Sequence, residues 1–202
     1  MGTLTSATSF ALSGKVDFLL IKYLVPFSAF GAALGAHIVT YIPPHILKAL
    51  ITLLLIGVAI YTLLKKDWGH VSTYPGTNNK SIWLGIVVAV GLGFYDGFFG
   101  PGTGSFLIFV FLLFGFDFVV AAGNAKVLNF ASNMAALIIF ILMDAVNYGY
   151  GITMGVAMVT GALLGSRLAI SKGTTYVRLI FIIITSILIG KQIWDLLRFI
   201  KW

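Results

Sequence analysis

The stretch that decides the fold is GLGFYDGFFGPGTG, residues 91–104, with six glycines and one proline in fourteen positions. In a helix interior glycine costs about 1 kcal/mol and proline about 3 kcal/mol relative to alanine. A continuous helix through this stretch is therefore not expected. On either side lie apolar segments, Ile82–Tyr95 and Ser105–Phe116. At 1.5 Å per residue the longer covers roughly 20 Å, short of the ~30 Å core of a bilayer. Broken backbone at membrane depth is tolerated only where protein or a water-filled cavity satisfies its polar groups. Such a break leaves N–H groups free at about Thr103–Ser105, where a helix N-terminus with partial positive charge suits an anion. Gly100, Pro101, Gly102, Thr103, Gly104 and Ser105 are thus candidate substrate-lining residues. An ordinary turn or a tight helix crossing is the alternative. The GPGTG string lacks the Gly-Lys-Ser/Thr ending of a nucleotide-binding loop and lies among apolar spans.

The rest of the chain places this break in a membrane. Of 202 residues, 59% are hydrophobic and 9% charged, with a mean hydropathy of +1.04. A soluble domain carries about 25% charge, so a soluble enzyme is excluded, and so is disorder. At ~20 residues per span the length allows about six or seven crossings. The fold class is all-α, polytopic, in a lipid bilayer. There is no cysteine, and His37, His45 and His70 have no metal-site spacing, so neither metal nor cofactor is expected. The net charge of +7 comes without a basic run. It reads as topology signal and headgroup contact rather than nucleic-acid binding. Residues 1–14 lack the basic start of a signal peptide.

Seven apolar segments follow: A at 18–42, B at 46–64, C at 82–95, D at 105–116, E at 127–143, F at 148–170 and G at 176–194. A polar loop at 65–80 separates A–B from the remainder. Pro43-Pro44 ends A, because proline lacks the N–H and restricts the residue before it.

An internal repeat relates A–B to F–G. Gly161 and Gly165 lie 130 residues after Gly31 and Gly35. The same shift carries Val16 onto Val146, Asp17 onto Asn147, His37 onto Arg167 and Lys48 onto Arg178 without a gap. Glycines at spacing four recur in membrane helices generally, but the matched polar positions favour common origin. The number of crossings between the two copies is odd whether C and D both cross or turn back together, so the second copy is inverted. Inverted repeats are typical of secondary transporters, with substrate at their interface near the midplane. The expected organisation is an incomplete first repeat at 1–64, the loop at 65–80 and a second repeat at 81–202. The front of the first repeat has no counterpart in the chain.

Two groups of polar residues stand out. Asp96 is a carboxylate in a chain of six acidic residues, all Asp. An intramembrane acid is a functional candidate by default, here for a coupling proton or for pairing with Lys126. An interfacial, hydrated Asp is the alternative. Lys126, Asn129 and Asn133 share one helical face at i, i+3 and i+7. A cation beside carboxamide donors suits a small oxyanion. Alternatively the asparagines bond to neighbouring helices and Lys126 snorkels. Ser132 and Asn124 lie nearby.

The strings GFYDGFFGPGTGSFL (93–107), GNAKVLNFASNMAALIIF (123–140) and GALLGSRLA (161–169) resemble the TauE/SafE sulfite-exporter family, its YfcA-like branch in particular. SGKVDF (13–18) resembles a junction inside that family's first repeat, so the resemblance spans essentially the whole chain. It implies a permease of the bacterial inner membrane for small sulfur-containing anions such as sulfite and organosulfonates. By motif it implies a second-repeat site at Gly100–Gly104, Lys126, Asn129 and Asn133. The family's first-repeat hairpin is expected to be absent, to be supplied by a missing N-terminal segment or by a homo-oligomeric partner. A second reading from another class is a non-transporting membrane subunit that needs a partner chain to complete the fold. No nucleophile–base pair or metal cluster supports an enzyme.

Overall fold

The computed structural model describes residues 2–43 and 72–200; within 173–200 it describes the helical backbone and only the Ile183 and Ile187 side chains. Segment B lies outside the described residues. The elements are α1 (Gly2–Leu12), α2 (Phe18–Val39), α3 (Asn79–Phe98), α4 (Thr103–Leu113), α5 (Phe118–Leu142) and α6 (Tyr148–Ile200). No strand occurs among the described residues. Four of these stretches are long and apolar enough to cross a membrane: α2, α3, α5 and Tyr148–Lys172 of α6. The protein is an all-α, multi-pass membrane protein.

Local chemistry explains three of the helix starts. Asp17 caps α2 by accepting from the Leu19 and Leu20 N–H groups, and Asp117 caps α5 through Val119 and Val120. Asn78 and Ser81 form a reciprocal capping box at the start of α3. Pro26 sits inside α2.

Three boundaries differ from the sequence expectation. Helix α3 does not stop at Tyr95. It is 20 residues long and runs through Gly91, Gly93 and Gly97 to Phe98. Its glycines are used for packing. A Cβ on Gly93 would strike the Ser28 carbonyl, and one on Gly97 the Ala32 carbonyl. From the other side, Gly31 faces Val90 and Gly35 faces Phe94. Contacts advance together along both chains, so α2 and α3 run parallel with their backbones in close approach. The dispersion gained in such a contact offsets the low helix propensity of glycine. Second, the Thr- and Ser-containing stretch Gly2–Leu12, to which no apolar segment was assigned, is helical. Its hydroxyls fold back on the backbone, Thr8 onto the Leu4 carbonyl and Ser9 onto the Thr5 carbonyl, both at 2.9 Å. Third, α6 continues for 53 residues where two spans with a turn near 171–175 were expected. The stretch Ser171-Lys172-Gly173-Thr174-Thr175 holds no proline and one glycine, a weak stop signal.

Helices α3 and α4 form a hairpin. At its feet the Thr73 N–H donates to the Gly115 carbonyl at 2.7 Å, and Tyr74 stacks on Phe116. At its tip the Tyr95 hydroxyl donates to the Pro101 carbonyl at 2.7 Å. Helix α2 packs on α3 and on α5, while α1 packs on α5 and α6. Leu20, Ile21, Leu24, Phe111 and Leu128 are fully buried at this junction. Large apolar side chains such as Trp83, Val87, Leu142, Tyr150 and Leu164 face outward. On a soluble protein so much exposed apolar surface would be a liability; here it is the lipid-facing side.

Candidate functional site

The break between α3 and α4 is four residues long, Phe99 to Gly102. Gly100 and Gly102 hold positive φ angles of 81° and 87°, a region that costs an L side chain roughly 1–2 kcal/mol. The Phe99 and Gly100 N–H groups close α3 onto the Tyr95 carbonyl at 2.8 and 3.1 Å. Gly102 then serves as N-cap of α4 without any side-chain cap. Thr103 is buried, and its hydroxyl donates to the Gly100 carbonyl at 2.7 Å. The Thr103 N–H turns to the Gly100 carbonyl and the Ser105 and Phe106 N–H groups both turn to the Gly102 carbonyl, so the Thr103 and Ser105 N–H groups expected to be free are engaged. Space is open beside Gly104: a Cβ there would meet nothing within 4 Å.

Asp96 belongs to the last turn of α3, not to the break itself, because packing on α2 keeps the helix intact through Gly97. Its carboxylate is the centre of the polar cluster. Oδ2 accepts from Asn129 Nδ2 at 3.1 Å and from the Ser132 hydroxyl in a short contact. Thr103 lies beside this carboxylate, although its hydroxyl hydrogen goes to the Gly100 carbonyl, and the Lys126 ammonium stands close enough to act on its charge. Lys126 and Asp96 form no direct salt bridge among the described residues, so the expected pairing is electrostatic rather than a contact. Asn129 is nearly buried and Ser132 is buried. The cluster sits midway along α5, a helix of 25 residues or about 37 Å. The hairpin tip therefore lies at mid-depth of that span. The N-terminus of α4 points its partial positive charge at the same place.

The sequence-predicted residues divide accordingly. Asp96 and Asn129 meet directly, with Thr103 and Lys126 beside them. Asn133 is turned along its own helix. Its Nδ2 donates to the Asn129 backbone carbonyl and, at 3.2 Å, to Asn129 Oδ1. That contact orients the Asn129 amide, leaving Nδ2 free to point at Asp96. Pro101 is exposed. Ser105 contributes backbone to the first turn of α4. Ser132 is a central member that the spacing i, i+3, i+7 passes over. It lies three residues after Asn129, on the face that meets α3. Asn124 has a different role. Fully buried, it accepts the Asp17 N–H on Oδ1 at 2.8 Å and so braces the start of α2. No cluster of three or more His, Cys, Asp or Glu that could hold a metal ion occurs among the described residues.

The family model for the sulfite exporter TauE/SafE matches residues 1–191. The chain belongs to the TauE/SafE family. Among curated relatives it is similar to a probable membrane transporter protein of a Sinorhizobium species, 37% identical over 96% of this chain and 74% of the relative. It is also similar to the probable membrane transporter protein YfcA of Escherichia coli, 34% identical over 94% of this chain and 71% of the relative. A probable membrane transporter protein of Haemophilus influenzae is 31% identical over 96% of this chain. No solved structure matches. TauE/SafE membership makes this a membrane transporter protein and not an enzyme. The family match includes both legs of the hairpin and the whole polar face of α5.

Proposed function

We propose that this TauE/SafE protein is a permease for small anions, sulfur-containing oxyanions and organosulfonates in particular, across the bacterial inner membrane. The observation that carries this reading is the convergence of donors at mid-depth. The Asn129 amide, the Ser132 hydroxyl, the Lys126 ammonium and the N-terminus of α4 gather where the hairpin breaks. Hydroxyl and amide N–H groups supply directional bonds to oxyanion oxygens. Lys126 supplies charge that a dry site strengthens. The open space beside Gly104 leaves room for the ligand. In this reading Gly100, Pro101 and Gly102 shape the turn, Thr103, Gly104 and Ser105 form the helix N-terminus, and Asn133 holds the Asn129 amide in its donating orientation. Asp96 is the candidate for a coupling proton. Broken helices that aim half-helix ends at a mid-depth ligand are a recurrent transporter solution.

The reading is tested by uptake of labelled sulfite into proteoliposomes containing the purified protein. Saturable uptake, competed by methanesulfonate more strongly than by chloride, is expected. No saturable uptake of either sulfur anion would sink it in favour of a non-transporting membrane subunit.

A further inference from the structure

We infer that the Asp96 carboxylate is the resident occupant of the anion's own donor set, so that anion and ionised Asp96 exclude each other. This rests on the anion-site reading above. Chemically a carboxylate is a small oxyanion, and its Oδ2 takes the bonds that an incoming anion needs. The Asn129 Nδ2 donates to it, and so does the single hydrogen of the Ser132 hydroxyl. A hydroxyl has one hydrogen to give, so Ser132 cannot serve Asp96 and an anion together. Two like-charged groups sharing one set of donors do not both stay ionised, as paired carboxylates show. Anion entry therefore drives one proton onto Asp96, drawn from the solution on the side of entry. Protonated Asp96 becomes a donor, and its released partners turn to the anion. When the anion leaves, the proton leaves and the carboxylate regains Asn129 and Ser132. The protein itself then counts one proton per anion.

The surroundings of Asp96 support this exchange. The titratable groups acting on it are Lys126, from α5, and the Tyr95 phenol of its own helix. Helix α2 packs on this turn of α3 through Ala32, and α4 meets it through Thr103. Neither carries charge. One fixed cation thus faces either one carboxylate or one anion, and the charge of the site is the same in both states.

The experiment is calorimetric titration of the purified protein with methanesulfonate, an anion that carries no proton of its own. It is run in two buffers of different ionisation enthalpy and over a range of pH in which Asp96 is ionised. Wild type is expected to take up about one proton per anion, with affinity falling about tenfold per pH unit. Asp96→Asn should bind with no proton uptake and no pH slope. Lys126→Gln should weaken methanesulfonate binding. Wild-type binding without proton uptake overturns the inference, and that comparison needs no variant. An Asp96→Asn protein that keeps the wild-type slope overturns it too, as does a requirement for sodium in place of the proton. Absence of methanesulfonate binding by wild type and variant alike counts instead against the anion site on which the inference rests.

Discussion

The Asn129 amide donates from Nδ2 to Asp96 Oδ2 at 3.1 Å, fastening the last turn of α3 to the middle of α5. Thirty-three residues separate the two in sequence, yet this contact sets where the hairpin tip sits in the bundle. Asn129→Ala leaves a partly buried carboxylate with one donor fewer, which costs about 1 kcal/mol or somewhat more. The expected result is a lowered unfolding midpoint in detergent. In a double-mutant cycle with Asp96→Asn, a coupling energy of about 0.5–3 kcal/mol is expected. Strictly additive effects would show that the two side chains do not depend on one another.

The α2–α3 contact offers a sharper steric test. A Cβ on Gly97 would meet the Ala32 backbone, and one on Gly93 the Ser28 backbone. Backbone cannot swing aside as a flexible side chain can. Gly97→Val should therefore force the helices apart, with a cost at or above the roughly 1–3 kcal/mol typical of overpacking. Gly91→Ala, where nothing lies within 4 Å, should be neutral or slightly stabilising. The readout is the fraction of monodisperse protein recovered in detergent. Equal recovery of both variants would contradict the close approach.

Within the break, glycine identity matters at two positions and not at a third. Gly100 and Gly102 have positive φ, so Gly100→Ala and Gly102→Ala should each destabilise by about 1–2 kcal/mol. Gly104 lies in the first turn of α4, with open space where a Cβ would go. Gly104→Ala should leave the thermal midpoint unchanged while raising the KM for sulfite, because the methyl fills the proposed anion space. Loss of stability at Gly104 with no change at Gly100 would reverse the assignment.

Helix starts give a quieter prediction. Asp117 Oδ1 accepts from the Val119 and Val120 N–H groups at 2.9 and 3.1 Å. Replacing such a cap by alanine costs about 1 kcal/mol. Asp117→Ala should lower the thermal midpoint modestly, and Asp117→Asn or Asp117→Ser should restore most of it. Unchanged midpoints throughout would mean that the cap adds nothing measurable at that membrane edge.

Much of this architecture is legible in the sequence, and the exceptions share one cause. The spans around α2 and α5, and the hairpin with its glycine-rich tip, follow from apolar length and from glycine and proline content. Propensity alone misplaces the break, because Gly93 and Gly97 look like helix breakers until α2 is laid against them. At the site, the periodicity that picks out Lys126, Asn129 and Asn133 is real. Spacing cannot say that Asn133 donates to Asn129, or that Ser132 reaches Asp96. Those facts depend on the angle at which α3 meets α5, and no local pattern encodes it.

The central claim is that the donors gathered around the hairpin break bind the transported anion. Sulfite uptake by proteoliposomes, measured as initial rate against concentration, tests it most directly for wild type, Lys126→Ala and an outward-facing control such as Trp83→Ala. Wild type and the control should saturate alike. Lys126→Ala should lose at least tenfold in kcat/KM, about 1.4 kcal/mol of binding to the moving anion. Uptake by Lys126→Ala indistinguishable from wild type would contradict the account.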